Sequence, residues 1–121
     1  MRASLSRSAS AREWTARIGK DLRAFAPDLI WIELTSALRK SVGAKRITPA
    51  QADRALAELL RLPLEIWALG ALARPALNVA VSRGVSAYDA CYVVLAESLG
   101  ATLVTADYSL AAAVDRAELI T

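Results

Sequence analysis

Apolar residues in the first half of the chain recur at helical spacing. Trp14, Ile18, Leu22 and Phe25 form one such stripe, and two further stripes follow it. An amphipathic helix places its apolar residues on one face in this way. The pattern predicts helices over residues 13–25, 26–43 and 48–62. The third helix has the clearest start, because Thr48 and Gln51 form a capping box with Pro49 at the first helical position.

The second half alternates between strand and helix patterns. LPLEIW reads as a short strand before a helix that Pro75 could break in two, and the next helix runs from Ser86 to Gly100. A buried strand, ATLVTAD, follows, and then a short helix and an edge strand over residues 108–114 and 117–121. This alternation predicts an α/β fold with a parallel sheet flanked by helices. Functional sites in such folds form at the carboxyl ends of strands.

Composition narrows the class of protein and its chemistry. The chain has 121 residues, of which 55% are hydrophobic, so we expect one compact domain over residues 13–121 after a poorly ordered polar lead-in, residues 1–12. The longest apolar tract is interrupted by Glu65 and Arg74, which argues against a membrane span. A single cysteine excludes an internal disulfide and fits the reducing cytoplasm. The absence of histidine excludes His-based catalysis and leaves carboxylates as the available chemistry.

A basic cluster lies where the second predicted helix ends. The chain carries a net charge of +3, and the segment RKSVGAKR concentrates Arg39, Lys40, Lys45 and Arg46. Such a cluster suits contacts with nucleic-acid phosphates, so we predict RNA binding there. Cations at the end of a helix also complement its dipole, and this second interpretation stays open.

Three acids stand out from otherwise small or apolar surroundings: Glu33, Asp89 and Asp107. Each has a simpler explanation, since Ser86 and Asp89 fit a capping box, Asp107 fits an N-cap, and Glu33 could be solvated. Together they could hold Mg²⁺ or Mn²⁺, because these ions prefer carboxylate and water oxygens. Thr105, two residues before Asp107, could support the site by hydrogen bonding, although it could equally be an ordinary strand residue.

The segments APDLIWIELTSALRK, SAYDACYVVLAESLGA and TLVTADYSL together resemble the PIN-domain ribonucleases, specifically the VapC-type toxins of toxin–antitoxin pairs. The resemblance runs from about Ala26 to the C-terminus. It implies a three-layer PIN-like fold in which Glu33, Asp89 and Asp107 are three of four acids around a catalytic metal. It further implies Mg²⁺- or Mn²⁺-dependent hydrolysis of RNA, a small antitoxin protein as partner, and a homodimer.

The chain departs from the family pattern at its start. Members of the family begin with an apolar strand that ends in an aspartate, whereas this sequence opens MRASLSRSASAREW. Asp21 lies inside a predicted helix and is no substitute. We therefore expect a shortened gene product or gene model that lacks the first strand, and three acids in place of four. The alternative function is a catalytically impaired PIN remnant that acts only as a protein-binding module.

Overall fold

The computed structural model of the chain describes residue 13 and residues 16–101, 103–105 and 117–119. The strands in these ranges are β1 (Phe25–Pro27), β2 (Glu65–Trp67), β3 (Leu103–Thr105) and β4 (Ala117–Leu119). The helices are α1 (Ile30–Gly43), α2 (Pro49–Leu59), α3 (Leu69–Arg83) and α4 (Ala87–Leu99). The predicted α/β class, with parallel strands and covering helices, is confirmed. The lead-in of residues 1–12 and the predicted helix over residues 108–114 lie outside the described residues.

The strands pair in parallel. Phe25 of β1 lies opposite Glu65 of β2, and Leu103 of β3 lies opposite Ala117 of β4. Over the described ranges these two pairs form separate two-stranded sheets, not one continuous sheet. Helix α4 contacts both β1 and β3, so one helix spans the two pairs.

Helices α3 and α4 build the main core. Leu72 and Ala76 of α3 pack with buried residues of α4, namely Ala90, Val94 and Leu95. The two helix axes are bent by 109° relative to each other, and Gly84 ends α3 with a φ of +67°. Few side chains other than glycine adopt this left-handed conformation readily.

Pro75 lies inside α3 and does not divide the helix. Proline removes the hydrogen bond to the carbonyl four residues earlier, here that of Ala71. Both Pro75 and Ala71 are exposed, so water can hydrate this carbonyl. The possible break at Pro75 is therefore not observed.

The predicted start of α2 is confirmed in detail. Thr48 Oγ1 accepts the backbone N–H of Gln51 at 3.1 Å, and Gln51 Oε1 accepts the N–H of Thr48 at 2.9 Å. These reciprocal bonds satisfy donors that have no partner inside the helix.

The predicted helix over residues 13–25 is wrong for most of its length. Helical backbone is described at Glu13 and at residues 16–17, after which Gly19 adopts a φ of +83° and its N–H bonds the carbonyl of Leu22. A left-handed glycine ends a helix, and the pairing of Phe25 with β2 then holds the backbone extended. Asp21 consequently lies in a turn, where Arg17 contacts it at 3.3 Å, and not inside a helix.

Pro27 is also placed differently from the prediction. It is a fully buried residue at the end of β1, and α1 begins three residues later at Ile30. Strands β2, β3 and β4 lie within the three predicted strands.

None of the described helices is by itself long and apolar enough to cross a membrane. Only the bent pair of α3 and α4 reaches that length and composition jointly.

Candidate active site

Glu33 lies in the first turn of α1, just beyond the carboxyl end of β1. Its backbone N–H bonds the carbonyl of Leu29 at 3.2 Å, and its side chain is half-buried. The start of a helix carries partial positive charge, which stabilises a carboxylate there. The end of β1 and the first turn of α1 together set the backbone position from which the Glu33 side chain extends.

Asp89 occupies the equivalent place in α4. Ser86 is the N-cap, and its Oγ accepts the backbone N–H of Asp89 at 3.0 Å. The return bond of a capping box, from the Ser86 backbone N–H to the Asp89 carboxylate, does not form. Within the described part of the chain the Asp89 carboxylate has no hydrogen-bond partner. The cap therefore positions Asp89 and leaves its half-buried carboxylate available.

Tyr92 links Glu33 to the helix that carries Asp89. Its hydroxyl donates a hydrogen bond from α4 to Oε1 of Glu33 in α1. Asp89 precedes Tyr92 by three residues, a spacing that makes them neighbours on one helix surface. Burial raises the pKa of the Tyr92 hydroxyl, and the hydrogen bond to Glu33 and the charges of Glu33 and Asp89 raise that pKa further. The phenol is thus kept protonated, as a donor to a carboxylate must be, and both acids lie within electrostatic range of it.

Cys91 adds no thiolate to this site. Burial, and then the nearby charge of Glu33, raise the pKa of its thiol above the ordinary value. A thiolate is the form of cysteine that binds metals and attacks electrophiles. Cys91 therefore remains a neutral, partly buried thiol at neutral pH.

A hydrogen bond links Glu33 to the helix that carries Asp89, and the convergence of the three predicted acids on one metal ion stays a prediction. Asp107 lies outside the described residues, as does the side chain of Thr105, whose backbone ends β3 opposite Leu119. Among residues 13, 16–101, 103–105 and 117–119, no three Asp, Glu, His or Cys side chains form a group that could hold a metal ion. Glu33 and Asp89 nevertheless fit a divalent cation by donor type, because they supply the carboxylate oxygens that Mg²⁺ and Mn²⁺ prefer.

The four residues of the basic cluster are all exposed: Arg39, Lys40, Lys45 and Arg46. None of them forms an ion pair with a described residue. Lys40 lies seven residues after Glu33, which places it on the same side of α1, about 10 Å further along the helix. Lys40 also lies in the last turn of α1, so the dipole interpretation applies to it. Lys45 and Arg46 line an open surface hollow beyond that helix.

The sequence patterns did not single out Tyr92. The spacing of Asp89 and Tyr92 carried a usable signal, since a residue three positions after a site acid faces the same direction. The partner Glu33 lies 59 residues away along the chain, and no local pattern links the two.

Comparison with known proteins identifies the fold that holds this site. The family model described as the PIN domain matches residues 3–116. The chain belongs to the PIN-domain family. It is 36% identical over 88 residues to "VapC ribonuclease Mb0985" of Mycobacterium bovis and to "Ribonuclease VapC9" of Mycobacterium tuberculosis. Each alignment covers 73% of this chain and 68% of the relative.

A solved PIN-fold neighbour agrees with this assignment. The crystal structure of PAE2754 from Pyrobaculum aerophilum superimposes with a TM-score of 0.70 at 30% sequence identity. The match covers 88% of this chain and 78% of PAE2754. The resemblance to VapC-type PIN domains that the sequence suggested is thereby confirmed.

Proposed function

We propose that this PIN-domain protein is an endoribonuclease toxin of a toxin–antitoxin pair, which hydrolyses RNA phosphodiesters with Mg²⁺ or Mn²⁺ held by carboxylates. The observation that carries the proposal is the hydrogen bond between Tyr92 and Glu33, which links the first turn of α1 to the helix that carries Asp89. The names of the VapC relatives, which describe ribonucleases, support the reaction class.

Glu33, Asp89 and Asp107 would hold the metal ion. When bound, such an ion polarises the phosphate, activates water and neutralises the leaving oxygen. The protein's own contribution is to fix the carboxylates, which the Ser86 cap does for Asp89 and the Tyr92 hydroxyl does for Glu33. Thr105 would support this arrangement from the end of β3.

Arg39, Lys40, Lys45 and Arg46 would bind the RNA backbone. Their side chains are exposed and lie at the end of the helix that carries Glu33. Arginine and lysine neutralise phosphates without reading the base sequence, so this cluster would position RNA and leave its sequence unread.

The proposed protein partners are a small antitoxin and a second copy of the chain, in the cytoplasm. Leu77 and Val81 lie one turn apart on α3 and are 64% and 77% exposed. Exposed apolar residues placed together in this way are typical of protein-contact surfaces.

The test is RNA cleavage by the purified chain with Mn²⁺ or with EDTA. Metal ions contribute several kcal/mol of transition-state stabilisation, so Asp89→Asn should lower the cleavage rate by about 100-fold or more. Asp53→Asn is the matched control, because Asp53 is exposed on α2 and its carboxylate has no partner among the described residues. Its rate should equal that of the unsubstituted chain.

The opposite result defines the alternative function. If the folded chain does not cleave RNA at any Mn²⁺ concentration, the enzyme proposal is wrong. The chain would then be a PIN remnant that acts only as a protein-binding module.

A further inference from the structure

The Tyr92 ring is anchored on one side and reaches the site on the other. The ring is partly buried and packs against Val93, which is 1% exposed, beside Val79 and Val85. Its hydroxyl bonds Glu33 of α1. A tyrosine has two side-chain torsions, so a ring held by the core places its hydroxyl firmly.

Glu33 has no such anchor of its own. A glutamate side chain is among those that lose the most rotamer freedom when they are fixed. Without a bonding partner, the Glu33 side chain would sample several rotamers. The bond from Tyr92 opposes this movement and holds the carboxylate in one orientation.

The bond also leaves Glu33 able to bind a cation. An ionised carboxylate offers about four lone-pair sites on its two oxygens. Tyr92 has a single proton and takes one site on Oε1. The Oε2 atom and the second site on Oε1 remain available for coordination.

We propose that Tyr92 is a positioning residue that orders Glu33 for a divalent cation before that cation binds. The inference rests on the proposed function, in which Glu33 is a metal ligand. A carboxylate that is already oriented binds a cation more tightly, because less ordering remains for the binding step. Loss of such outer partners typically weakens metal binding 10- to 100-fold.

Tyr88 provides a matched control on the same helix. It lies one turn before Tyr92 and is 65% exposed, and its hydroxyl has no hydrogen bond to a described residue. Tyr88→Phe and Tyr92→Phe remove the same atom from neighbouring positions, so a difference between them reports the contact with Glu33.

The experiment titrates the full chain with Mn²⁺ and follows free Mn²⁺ by electron paramagnetic resonance. Tyr92→Phe should raise the Kd for Mn²⁺ by about 10-fold or more, whereas Tyr88→Phe should change it less than twofold. RNA cleavage by Tyr92→Phe should recover at saturating Mn²⁺, because the acids themselves remain. An unchanged Kd in Tyr92→Phe would overturn the inference.

Failure of the proposed function would look different. If the unsubstituted chain binds no Mn²⁺, or if Glu33→Gln binds it equally well, Glu33 is not a metal ligand and both proposals are wrong. Tyr92→Phe keeps the ring against Val93, so the variant should fold, which far-ultraviolet circular dichroism checks.

A second measurement needs no substitution at Tyr92. With 3-fluorotyrosine at the three tyrosines of the chain, Mg²⁺ should shift the fluorine resonance of Tyr92 and leave that of Tyr88 unmoved, with Tyr88→Phe and Tyr108→Phe used for assignment. An unmoved Tyr92 resonance at saturating Mg²⁺ would contradict the proposal.

Discussion

At the scale of single residues, Tyr92 contributes a specific hydrogen bond, and Gly19 contributes a specific backbone conformation. The Tyr92 hydroxyl bonds a carboxylate in partly buried surroundings, and hydrogen bonds to charged groups contribute about 1.5–3 kcal/mol to stability. Gly19 has a φ of +83°, and a Cβ added to it would lie 2.7 Å from Cγ of Pro63. The turn before β1 therefore requires glycine for two separate reasons.

Substitution of Gly19 should destabilise the fold. A side chain in the left-handed region costs about 1–2 kcal/mol, and the contact with the stiff ring of Pro63 adds to that cost. We expect Gly19→Ala to lower the free energy of unfolding by about 2 kcal/mol or more. Urea denaturation followed by tryptophan fluorescence measures this change.

The control for this prediction has the opposite sign. Gly70 lies in α3, and a Cβ added there meets nothing within 4 Å. Alanine is a better helix former than glycine, so Gly70→Ala should raise the free energy of unfolding by up to about 1 kcal/mol. Equal effects at the two glycines would contradict the assigned turn geometry.

At the scale of elements, the β1–β2 pair is tied together by side chains as well as by its backbone. Arg23 donates to both oxygens of Glu65, at 2.6 and 2.9 Å, and its guanidinium lies 5.0 Å from the centre of the Phe25 ring. The hydrogen bond from Arg23 holds the pKa of Glu65 below its usual range. This pair links the segment before β1 to the first residue of β2.

The pH dependence of stability follows from the direction of that shift. A lowered pKa in the folded state means that the ion pair stabilises the protein above the unfolded pKa of glutamate, about 4.3. That contribution is lost as the pH falls through the lower folded value. Glu65→Gln should therefore flatten the decline in stability below about pH 4.3, with only a small effect because the pair is exposed.

Thermal unfolding between pH 3 and pH 7 measures this difference. Glu58→Gln is the matched control, since Glu58 is exposed on α2 and its carboxylate has no ion pair among the described residues. If the unfolding temperature of Glu65→Gln depends on pH in the same way as those of Glu58→Gln and the unsubstituted chain, the Arg23 contact does not stabilise the strand pair.

At the scale of the whole molecule, helix α4 belongs both to the hydrophobic core and to the candidate site. It packs against α3, contacts β1 and β3, and bonds Glu33 of α1 through Tyr92. Core and candidate site thus share one helix. The cationic surface lies apart from this core, at the end of α1 and in the following loop.

RNA binding should depend on the position of cations and not on net charge alone. The triple variant changes Lys40, Lys45 and Arg46 to glutamine. Its plot of the logarithm of the RNA-binding constant against the logarithm of the salt concentration should be less steep than that of the parent. The slope should fall by about 0.7 for every RNA phosphate that these cations neutralise in the parent. A single-stranded RNA oligonucleotide and the Asp89→Asn background allow binding to be measured without cleavage.

The matched control removes the same number of charges elsewhere. Lys20, Arg54 and Arg61 are exposed, and their triple change to glutamine gives the same net charge. Its salt slope should stay close to that of the parent. Equal slopes for the two triple variants would show that the cluster is no specific RNA surface.

The sequence alone determined the features that depend on local interactions. The capping box at Thr48, the cap at Ser86 and the apolar character of α4 predicted the helices in which they occur, because caps and periodicity act within a few residues. The combination of motifs around Glu33, Asp89 and Asp107 likewise indicated the PIN-domain family. The roles of these three acids in a metal site stay predictions.

Only the tertiary structure decided the remaining features. Residues around Phe25 have a helical pattern, yet parallel pairing with β2, some forty residues later, makes them a strand. Glu33 falls at the polar border of its helix, and only the tertiary fold brings the Tyr92 hydroxyl of α4 to it. The physical reason is the same in both cases. The free energy of strand pairing and helix packing comes from residues distant in sequence, and it outweighs local preferences of a few tenths of a kcal/mol per residue.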